Sequence, residues 1–230
     1  AFISSYLPAR WITNMNKLDW TLLLLLSNLL LWDNVASVPM CAMRNGRCFV
    51  SLKDMFHIAG SLSHEISQEV SGMLTEFKNH YAEVHGLQNT PVTSCHTSSL
   101  PIPANKQQAR KTNYEVLLKS ANTLLSAWSN PLQHLQKELA TLKGVPAGVI
   151  SKAKTIKEKD SGLLEGVRNL YNMIGNGETE NYPAWTELSD DEDARILAFY
   201  NMISCLNRDS KKIDIYLNIL KCNISKPNNC

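Results

Sequence analysis

Apolar residues recur at alternating steps of three and four along most of the chain, a pattern typical of helices that bury one face. It predicts four helices, over residues 51–81, 114–142 and 147–174 and from Ser189 onward. Thr112 and Glu115 have the spacing of a capping box before the second helix. Ser189 and Glu192 repeat that spacing before the fourth helix. No stretch of comparable length alternates apolar and polar residues, so the pattern predicts an all-α protein.

The links between these helices differ in length, and the difference predicts the topology. Residues 82–113 and 175–188 form long links, whereas residues 143–146 form a short one. A short link makes neighbouring helices antiparallel, and a long link can run the length of a bundle. The sequence therefore predicts an up-up-down-down four-helix bundle with two long crossover loops, which is the connectivity of long-chain cytokines.

The start of the chain has the pattern of a secretory signal. Residues 21–31 read TLLLLLSNLLL, with basic residues before this apolar run and small residues after it. A transmembrane helix needs about 20 apolar residues, so this run is too short to be one. We expect cleavage after Ser37, which removes the signal (1–37) and leaves one domain (38–230). The sequence thus predicts a secreted, extracellular protein that is not inserted in a membrane.

Composition and charge exclude some classes of partner. Lys plus Arg is 23 and Asp plus Glu is 21, which gives a formal net charge of +2. Nucleic-acid binders usually carry a clustered basic excess, and none is present in this sequence. We therefore expect no nucleic-acid partner.

The six cysteines all follow the predicted cleavage site: Cys41, Cys48, Cys95, Cys205, Cys222 and Cys230. An even number in a secreted chain predicts disulfides. Cys41 and Cys48 flank a predicted Asn-Gly turn, so they can pair locally. Cys222 and Cys230 flank a short loop and can do the same. Cys95 and Cys205 then remain, and a bond between them would stabilise the fold by about 4–5 kcal/mol in the chain-entropy model.

The sequence carries no recognisable catalytic or metal-binding motif. Residues 64–68 read HEISQ, which is close to the zinc-protease pattern HExxH, but Gln68 stands where the second His is required. No GxSxG, P-loop or GxGxxG pattern occurs. The acidic residues 190–193 fit a helix start better than a calcium site. We therefore expect a binding protein that is not an enzyme and has no metal and no cofactor.

One glycosylation sequon is present, at Asn223-Ile224-Ser225. It lies inside the predicted loop between the last two cysteines, and we expect that loop to be exposed. Glycosylation of Asn223 and an unused sequon both fit the sequence.

Several segments resemble prolactin. They are CHTSSL (95–100), LLEG (163–166), YPAW (182–185), CLNRDSKKID (205–214), LKC (220–222) and NNC (228–230). The resemblance covers essentially all of the predicted mature chain. The stretch PMCAMRNGRCF (39–49) is more similar to the proliferin branch of the placental prolactins. The chain is thus identified as a member of the prolactin family, within the somatotropin–prolactin superfamily of hormones.

The resemblance implies a function, a partner and a site. It implies a monomeric hormone that dimerises a prolactin-type class I cytokine receptor and activates Janus kinase–STAT signalling. It also implies the four-helix fold and the three disulfides paired above. Receptor site one would contain His64, Arg208, Lys211, Lys212 and Tyr216. Three of them recur every four residues (208, 212 and 216), which predicts a stripe away from the core face.

Receptor site two would centre on Gly166 in the third helix, where a missing side chain leaves a notch. A glycine costs about 1 kcal/mol in a helix interior. The alternative is that Gly166 lets two helices approach closely.

The sequence also departs from prolactin, and other functions stay open. Ser67 and Lys211 stand where prolactin has histidines that serve pH sensitivity and zinc binding, so this cluster is broken here. A proliferin-like hormone that acts on another receptor is the first alternative function. A secreted helical carrier of a small apolar ligand is the second.

Overall fold

The computed structural model describes residues 42–44, 47–87, 90–93, 95–174 and 191–225. The predicted signal peptide, its cleavage site, and Cys41 and Cys230 lie outside these residues. The described chain divides into a small N-terminal unit that ends at Val50 and a helical unit that begins at Ser51.

The N-terminal unit contains a short β-hairpin, which the helical pattern did not predict. Strand β1 (Ala42–Arg44) pairs antiparallel with β2 (Arg47–Phe49), with Met43 opposite Cys48. The register leaves two residues between the strands, and the sequence there is Asn-Gly, which two-residue hairpin turns favour. Strands of three residues are too short to show an alternation that could compete with the helical signal.

The helical unit contains four long helices and one short one. The long helices are α1 (Leu52–His85), α3 (Tyr114–Leu139), α4 (Ala147–Ile174) and α5 (Glu192–Ser225). The short helix α2 (Lys106–Lys111) lies within the first long link and was not predicted. The prediction of a helical bundle is therefore confirmed. No helix in the described part of the chain is long and apolar enough to span a bilayer.

Local hydrogen bonds explain where the helices begin. The Ser51 hydroxyl accepts from the Asp54 amide at 3.1 Å and caps α1. The Asn113 side chain caps α3 by accepting from the Glu115 amide at 2.8 Å. The predicted capping box at Thr112 is therefore wrong, because the Thr112 hydroxyl instead donates to the Gln108 carbonyl at the end of α2.

The start of the fourth long helix also differs from the prediction. It begins at Glu192, and the Asp191 carboxylate accepts from the Ala194 amide at 2.8 Å. Asp191 thus supplies the acceptor that Ser189 was predicted to supply, and Ser189 lies outside the described residues.

The core lies between the apolar faces of the long helices. Phe56 and Phe77 from α1, Trp128 from α3 and Phe199 from α5 are at most 1% exposed. Helix α4 contributes a row of smaller side chains, listed as Val149, Ala153, Ile156, Leu163, Leu164, Val167 and Leu170. Fully burying a large apolar side chain stabilises a fold by about 1.5–3 kcal/mol, so this core is the main source of stability.

Helices α1 and α3 each pack against both α4 and α5, and the short helix α2 packs on α5. Ion pairs join α1 to α4 at Glu65–Lys159 and Glu76–Lys152, both at 2.9 Å. The later residue of α1, Glu76, pairs with the earlier residue of α4, Lys152, so these two helices are antiparallel.

The same test applies to α5. Helix α1 meets it at His64–Asp214 and again at His85–Asp193, and these pairs also run in opposite directions. Helix α3 meets α5 through Trp128 and Asp209 at mid-length, and through Glu138 and Arg195 near one end. Both of these helix pairs are therefore antiparallel as well.

A disulfide ties the first long link to α5. Cys95 and Cys205 are bonded, with their Cα atoms 5.7 Å apart, which confirms the predicted pair. Cys222 is also disulfide-bonded. Its partner lies outside the described side chains, so the predicted pairs Cys222–Cys230 and Cys41–Cys48 stay predictions.

Candidate functional site

A buried aspartate organises the predicted site on α5. Asp209 is fully buried, and its carboxylate accepts hydrogen bonds from Trp128 Nε1 at 3.0 Å and from the Thr97 hydroxyl. Arg208 Nε donates to the same carboxylate at 2.8 Å. A buried carboxylate needs such partners, because an unpaired charge inside a protein is strongly unfavourable. The sequence analysis did not identify Asp209 as a site residue.

Arg208 is held in place rather than free to move. Its Nη1 and Nη2 atoms donate to the Ser98 and Thr97 hydroxyls, in addition to the bond from Nε to Asp209. The side chain stays 36% exposed, so part of it remains accessible to a partner. The segment after Cys95 thus positions a planar cation at the surface, ready to bind a carboxylate or a carbonyl of a partner.

Two lysines follow on the same helix. Lys211 is exposed and Lys212 is half-buried. Burial lowers the pKa of Lys212, the charge of Arg208 lowers it further, and Asp209 opposes both. Together with Arg208, these lysines make this part of the α5 surface positively charged.

Tyr216 does not lie on this surface, and the predicted stripe of residues 208, 212 and 216 is wrong at that position. Its side chain is 1% exposed, and its hydroxyl donates to the Pro103 carbonyl. Burial and then the charge of Asp209 raise the pKa of Tyr216. The first long link covers this part of α5, and a helical pattern cannot reveal that a distant loop will cover one of its faces.

His64 reaches the same surface from α1. Its Nδ1 lies 3.3 Å from Asp214 Oδ2 on α5, and the Gln68 amide lies 3.0 Å from its Nε2. The His64 ring thus lies between the Asp214 carboxylate and the Gln68 amide. The Ser63 and Asn218 side chains also donate to Asp214. The structure thus brings His64 to Asp214, which lies three residues after Lys211 on α5.

A cleft that the sequence analysis did not identify lies beside these residues. It has a volume of about 350 Å³ between α2 and α5, and it is lined by Lys106, Arg110, Asp214, Ile215, Asn218, Ile219 and Cys222. Helix α2 supplies the two cations, four residues apart on one face. The sequence feature that indicates α2 is its cap, Asn105, whose side chain accepts from the Gln108 amide. A helix of six residues has too few apolar positions to show a helical periodicity.

Gly166 is accessible on α4. A Cβ built on it meets nothing within 4 Å, so the alternative that it permits close helix packing is wrong. Gly162, one turn earlier, is equally open. Gly148 is different, because the Glu76 carboxylate occupies the space beside it. Gly166 therefore offers an open place on α4 that a partner could enter.

The histidine departures from prolactin have clear positions. The two positions that carry histidines in prolactin are occupied here by Ser67, which is buried, and by Lys211, which is exposed. His64 therefore has no histidine from either position beside it. Among the described residues no group of three or more His, Cys, Asp or Glu side chains could hold a metal ion. The near-HExxH segment instead uses His64 and Gln68 in the hydrogen bonds to Asp214 and to each other. Asn223 of the sequon is exposed, as predicted, but it lies in the last turn of α5 and not in a loop.

Comparisons with known proteins agree with this fold. The sequence profile described as the Somatotropin hormone family matches residues 24–230. Prolactin-2C5 of Mus musculus is 56% identical over 213 residues, which cover 92% of this chain and 96% of that protein. Prolactin-2C3 of Mus musculus is 53% identical and covers 99% of each chain. Prolactin-2A1 of Rattus norvegicus is 48% identical over 92% of this chain and 96% of its own length.

These matches confirm the resemblance to prolactin that the sequence motifs indicated. Members of the matched family are signalling hormones and not enzymes, which also confirms the prediction of a non-enzyme. Both the profile and the relatives extend over far more than half of the chain. The chain therefore belongs to the somatotropin hormone family.

Proposed function

We propose that this protein is a secreted hormone that binds two copies of a prolactin-type class I cytokine receptor and so activates Janus kinase–STAT signalling. The observation that carries the proposal is the placement of the two candidate surfaces on different helices. The basic surface lies on α5 with His64 from α1, and the open Gly166 lies on α4. Helices α4 and α5 both pack on α1 and α3, and this arrangement supports two binding faces that point away from each other.

The helix order supports the same function. We propose that the bundle is up-up-down-down, because α1 is antiparallel to both α4 and α5, and α3 is antiparallel to α5. In that arrangement the two long links are the crossovers, as in hormone and cytokine bundles.

The first receptor face would use Arg208, Lys211 and Lys212 from α5 and His64 from α1. Positive side chains of this kind select an acidic or carbonyl-rich partner surface and speed its approach. Arg208 has the strongest case as an anchor, because Asp209 and Thr97 already fix its conformation and little side-chain entropy is lost on binding. Tyr216 would support this face from below and would not contact the receptor directly.

The second receptor face would centre on Gly166, where the absence of a side chain lets a receptor residue reach the helix backbone. The rest of the proposal follows from the sequence. The signal peptide is removed after Ser37, the hormone is a monomer, Asn223 is the candidate glycosylation site, and the remaining disulfides are Cys41–Cys48 and Cys222–Cys230.

Charge reversal on α5 tests the first face. The double variant Lys211→Glu/Lys212→Glu should need at least about ten times more protein to drive STAT phosphorylation in cells that bear the prolactin receptor, which corresponds to about 1.4 kcal/mol of binding. The matched control is Lys137→Glu/Lys143→Glu, which makes the same charge change at two exposed positions away from this face. The control should signal like the wild type.

Two results would contradict the proposal. Equal losses in both double variants would mean that net charge, and not this face, determines the signal. No signal from the wild-type protein would point to the alternative of a proliferin-like hormone with another receptor. The carrier alternative has little support, since the cleft beside α2 has Lys106, Arg110 and Asp214 in its walls rather than a fully apolar lining.

A further inference from the structure

Two aspartates are buried among the described residues, and they differ in whether their carboxyl groups have hydrogen-bond partners. Asp209 is fully buried and accepts three hydrogen bonds. Asp160 on α4 is 3% exposed, and no hydrogen bond or ion pair reaches its carboxyl group from the described residues. Because a buried group without partners strongly favours its neutral form, Asp160 differs chemically from the other carboxyl groups in the described part of the chain.

Asp160 occupies a core position of α4 and not an edge. It lies four residues after Ile156, three before Leu163 and four before Leu164, all of which are buried. Helix residues at these spacings share one face, so the carboxyl group is part of the apolar row that packs against α1 and α3. An apolar residue is the ordinary occupant of such a position, which leaves Asp160 without a packing explanation.

No charge from the neighbouring helices compensates for this burial. On α1, Glu65 and Glu76 bind Lys159 and Lys152, and Glu69 acts on Lys152. The titratable side chains of α3 are Tyr114, Glu115, Lys119, His134, Lys137 and Glu138. None of these groups contributes to the pKa of Asp160, which burial raises from its ordinary value to about 8.

We propose that Asp160 is a buried proton-binding group that makes the stability of the hormone bundle depend on pH between mildly acidic and mildly alkaline conditions. The folded protein holds a proton on this carboxyl group at neutral pH, whereas the unfolded chain releases it. Unfolding therefore releases one proton, and raising the pH favours the unfolded state.

The direction of the effect follows from the two pKa values. Below about pH 4 the carboxyl group is neutral in both states, so it causes no pH dependence. Between there and about pH 8 the unfolded chain is ionised while the folded chain is not, so stability falls as pH rises. Above about pH 8 both states are ionised and the loss levels off. The contribution of Asp160 therefore favours the folded state more in mildly acidic compartments of the secretory route than at extracellular pH.

Urea unfolding of the full chain at a series of pH values tests the proposal. The variant Asp160→Asn keeps the shape of the side chain and removes its titration. The ratio of unfolding equilibrium constants, wild type over Asp160→Asn, should rise about tenfold per pH unit between pH 5 and 7.5. The matched control is Glu158→Gln, an exposed carboxyl group on the same helix, for which this ratio should stay nearly constant.

A ratio for Asp160→Asn that does not change between pH 5 and 8 would overturn the proposal. If that variant does not fold, the wild-type protein still provides a test, because the carboxyl carbon of Asp160 can be followed by NMR after ¹³C labelling. A titration midpoint near pH 8 would support the proposal. A midpoint near pH 4 would overturn it, since the folded protein would then hold an ionised carboxylate.

Discussion

At the scale of single residues, Asp209 illustrates what the helical pattern could have revealed. It lies three residues after Leu206 and four before Ile213, both of which are buried, so its spacing places it on the core face of α5. A charged residue at such a position indicates a buried network, and the structure places Thr97, Trp128 and Arg208 around it. The partners themselves could not be predicted, because they come from distant parts of the chain.

The Asp209 network should contribute strongly to stability. Asp209→Asn removes the charge and leaves at least one of the Trp128, Thr97 and Arg208 donors without an acceptor. A buried donor that loses its partner costs about 1–3 kcal/mol, so we expect a loss of about 2–4 kcal/mol in urea unfolding. The control Asp193→Asn removes an exposed carboxylate of the same helix, which pairs with His85, and should change stability by less than about 1 kcal/mol. Equal effects of the two substitutions would contradict the role assigned to this network.

His96 should make the protein sensitive to acid. Its ring packs edge-on against Trp128, its Nε2 lies 3.2 Å from the Ala127 carbonyl, and burial lowers its pKa. A lowered pKa means that the folded state resists protonation, so stability is lost as pH falls below the ordinary histidine range near 6.5.

The measurement for His96 compares melting temperatures at pH 7 and pH 5. The wild type should lose more than His96→Gln on acidification, because glutamine does not titrate. A His96→Gln variant with the same loss as the wild type would rule out this contribution. The comparison between two proteins cancels every other titrating group, including Asp160, whose effect has the opposite sign.

At the scale of helices and strands, the sequence predicted long elements well and short ones poorly. The predicted helix over 147–174 matches α4 at both ends, and the predicted start at Tyr114 matches α3. Over twenty or more residues the apolar pattern is strong, because many side chains must reach one core. Helix α2 and the β-hairpin have six residues or fewer per element, so their hydrogen bonds and tertiary contacts, rather than their pattern, determine them.

The burial of Tyr216 has the same origin. The pattern of α5 correctly identifies its core residues, but Tyr216 is covered by the first long link, which it contacts at Pro103. Likewise, the sequence motifs indicated His64 and Arg208 as site residues, yet Asp214 and the cleft beside α2 depend on how two helices and a link meet. The periodicity of apolar residues does not predict contacts between segments that lie far apart in the chain.

The disulfides give a prediction at this scale. Peptide mapping of the unreduced protein should yield Cys41–Cys48 and Cys222–Cys230, together with the observed Cys95–Cys205 bond. A crossed pair or a free thiol would contradict the predicted pairing, and a mapped Cys95–Cys205 peptide serves as the internal control.

At the scale of the whole molecule, the proposed function requires two separate binding faces. The α5 face carries Arg208, Lys211 and Lys212, and the α4 face carries the open Gly166. A hormone with one such face can bind a receptor, but two faces are needed to hold two receptors together. The central claim is therefore that one hormone molecule binds two receptor molecules.

The most direct measurement is the mass of the complex formed with soluble prolactin-type receptor ectodomain, determined by light scattering. The wild type should bind two receptors. Gly166→Arg should bind one, because the arginine fills the place that the second receptor would enter. The fold should survive, since a Cβ at this position meets nothing within 4 Å and arginine is favoured over glycine in a helix by up to about 1 kcal/mol.

Gly162→Arg is the matched control, because it makes the same substitution at an equally open glycine one turn earlier. It should keep the two-to-one complex and a melting temperature similar to that of Gly166→Arg. The predicted result is thus one receptor for Gly166→Arg and two receptors for both the wild type and Gly162→Arg. A two-to-one complex with Gly166→Arg, or a wild type that never binds a second receptor, would contradict the account.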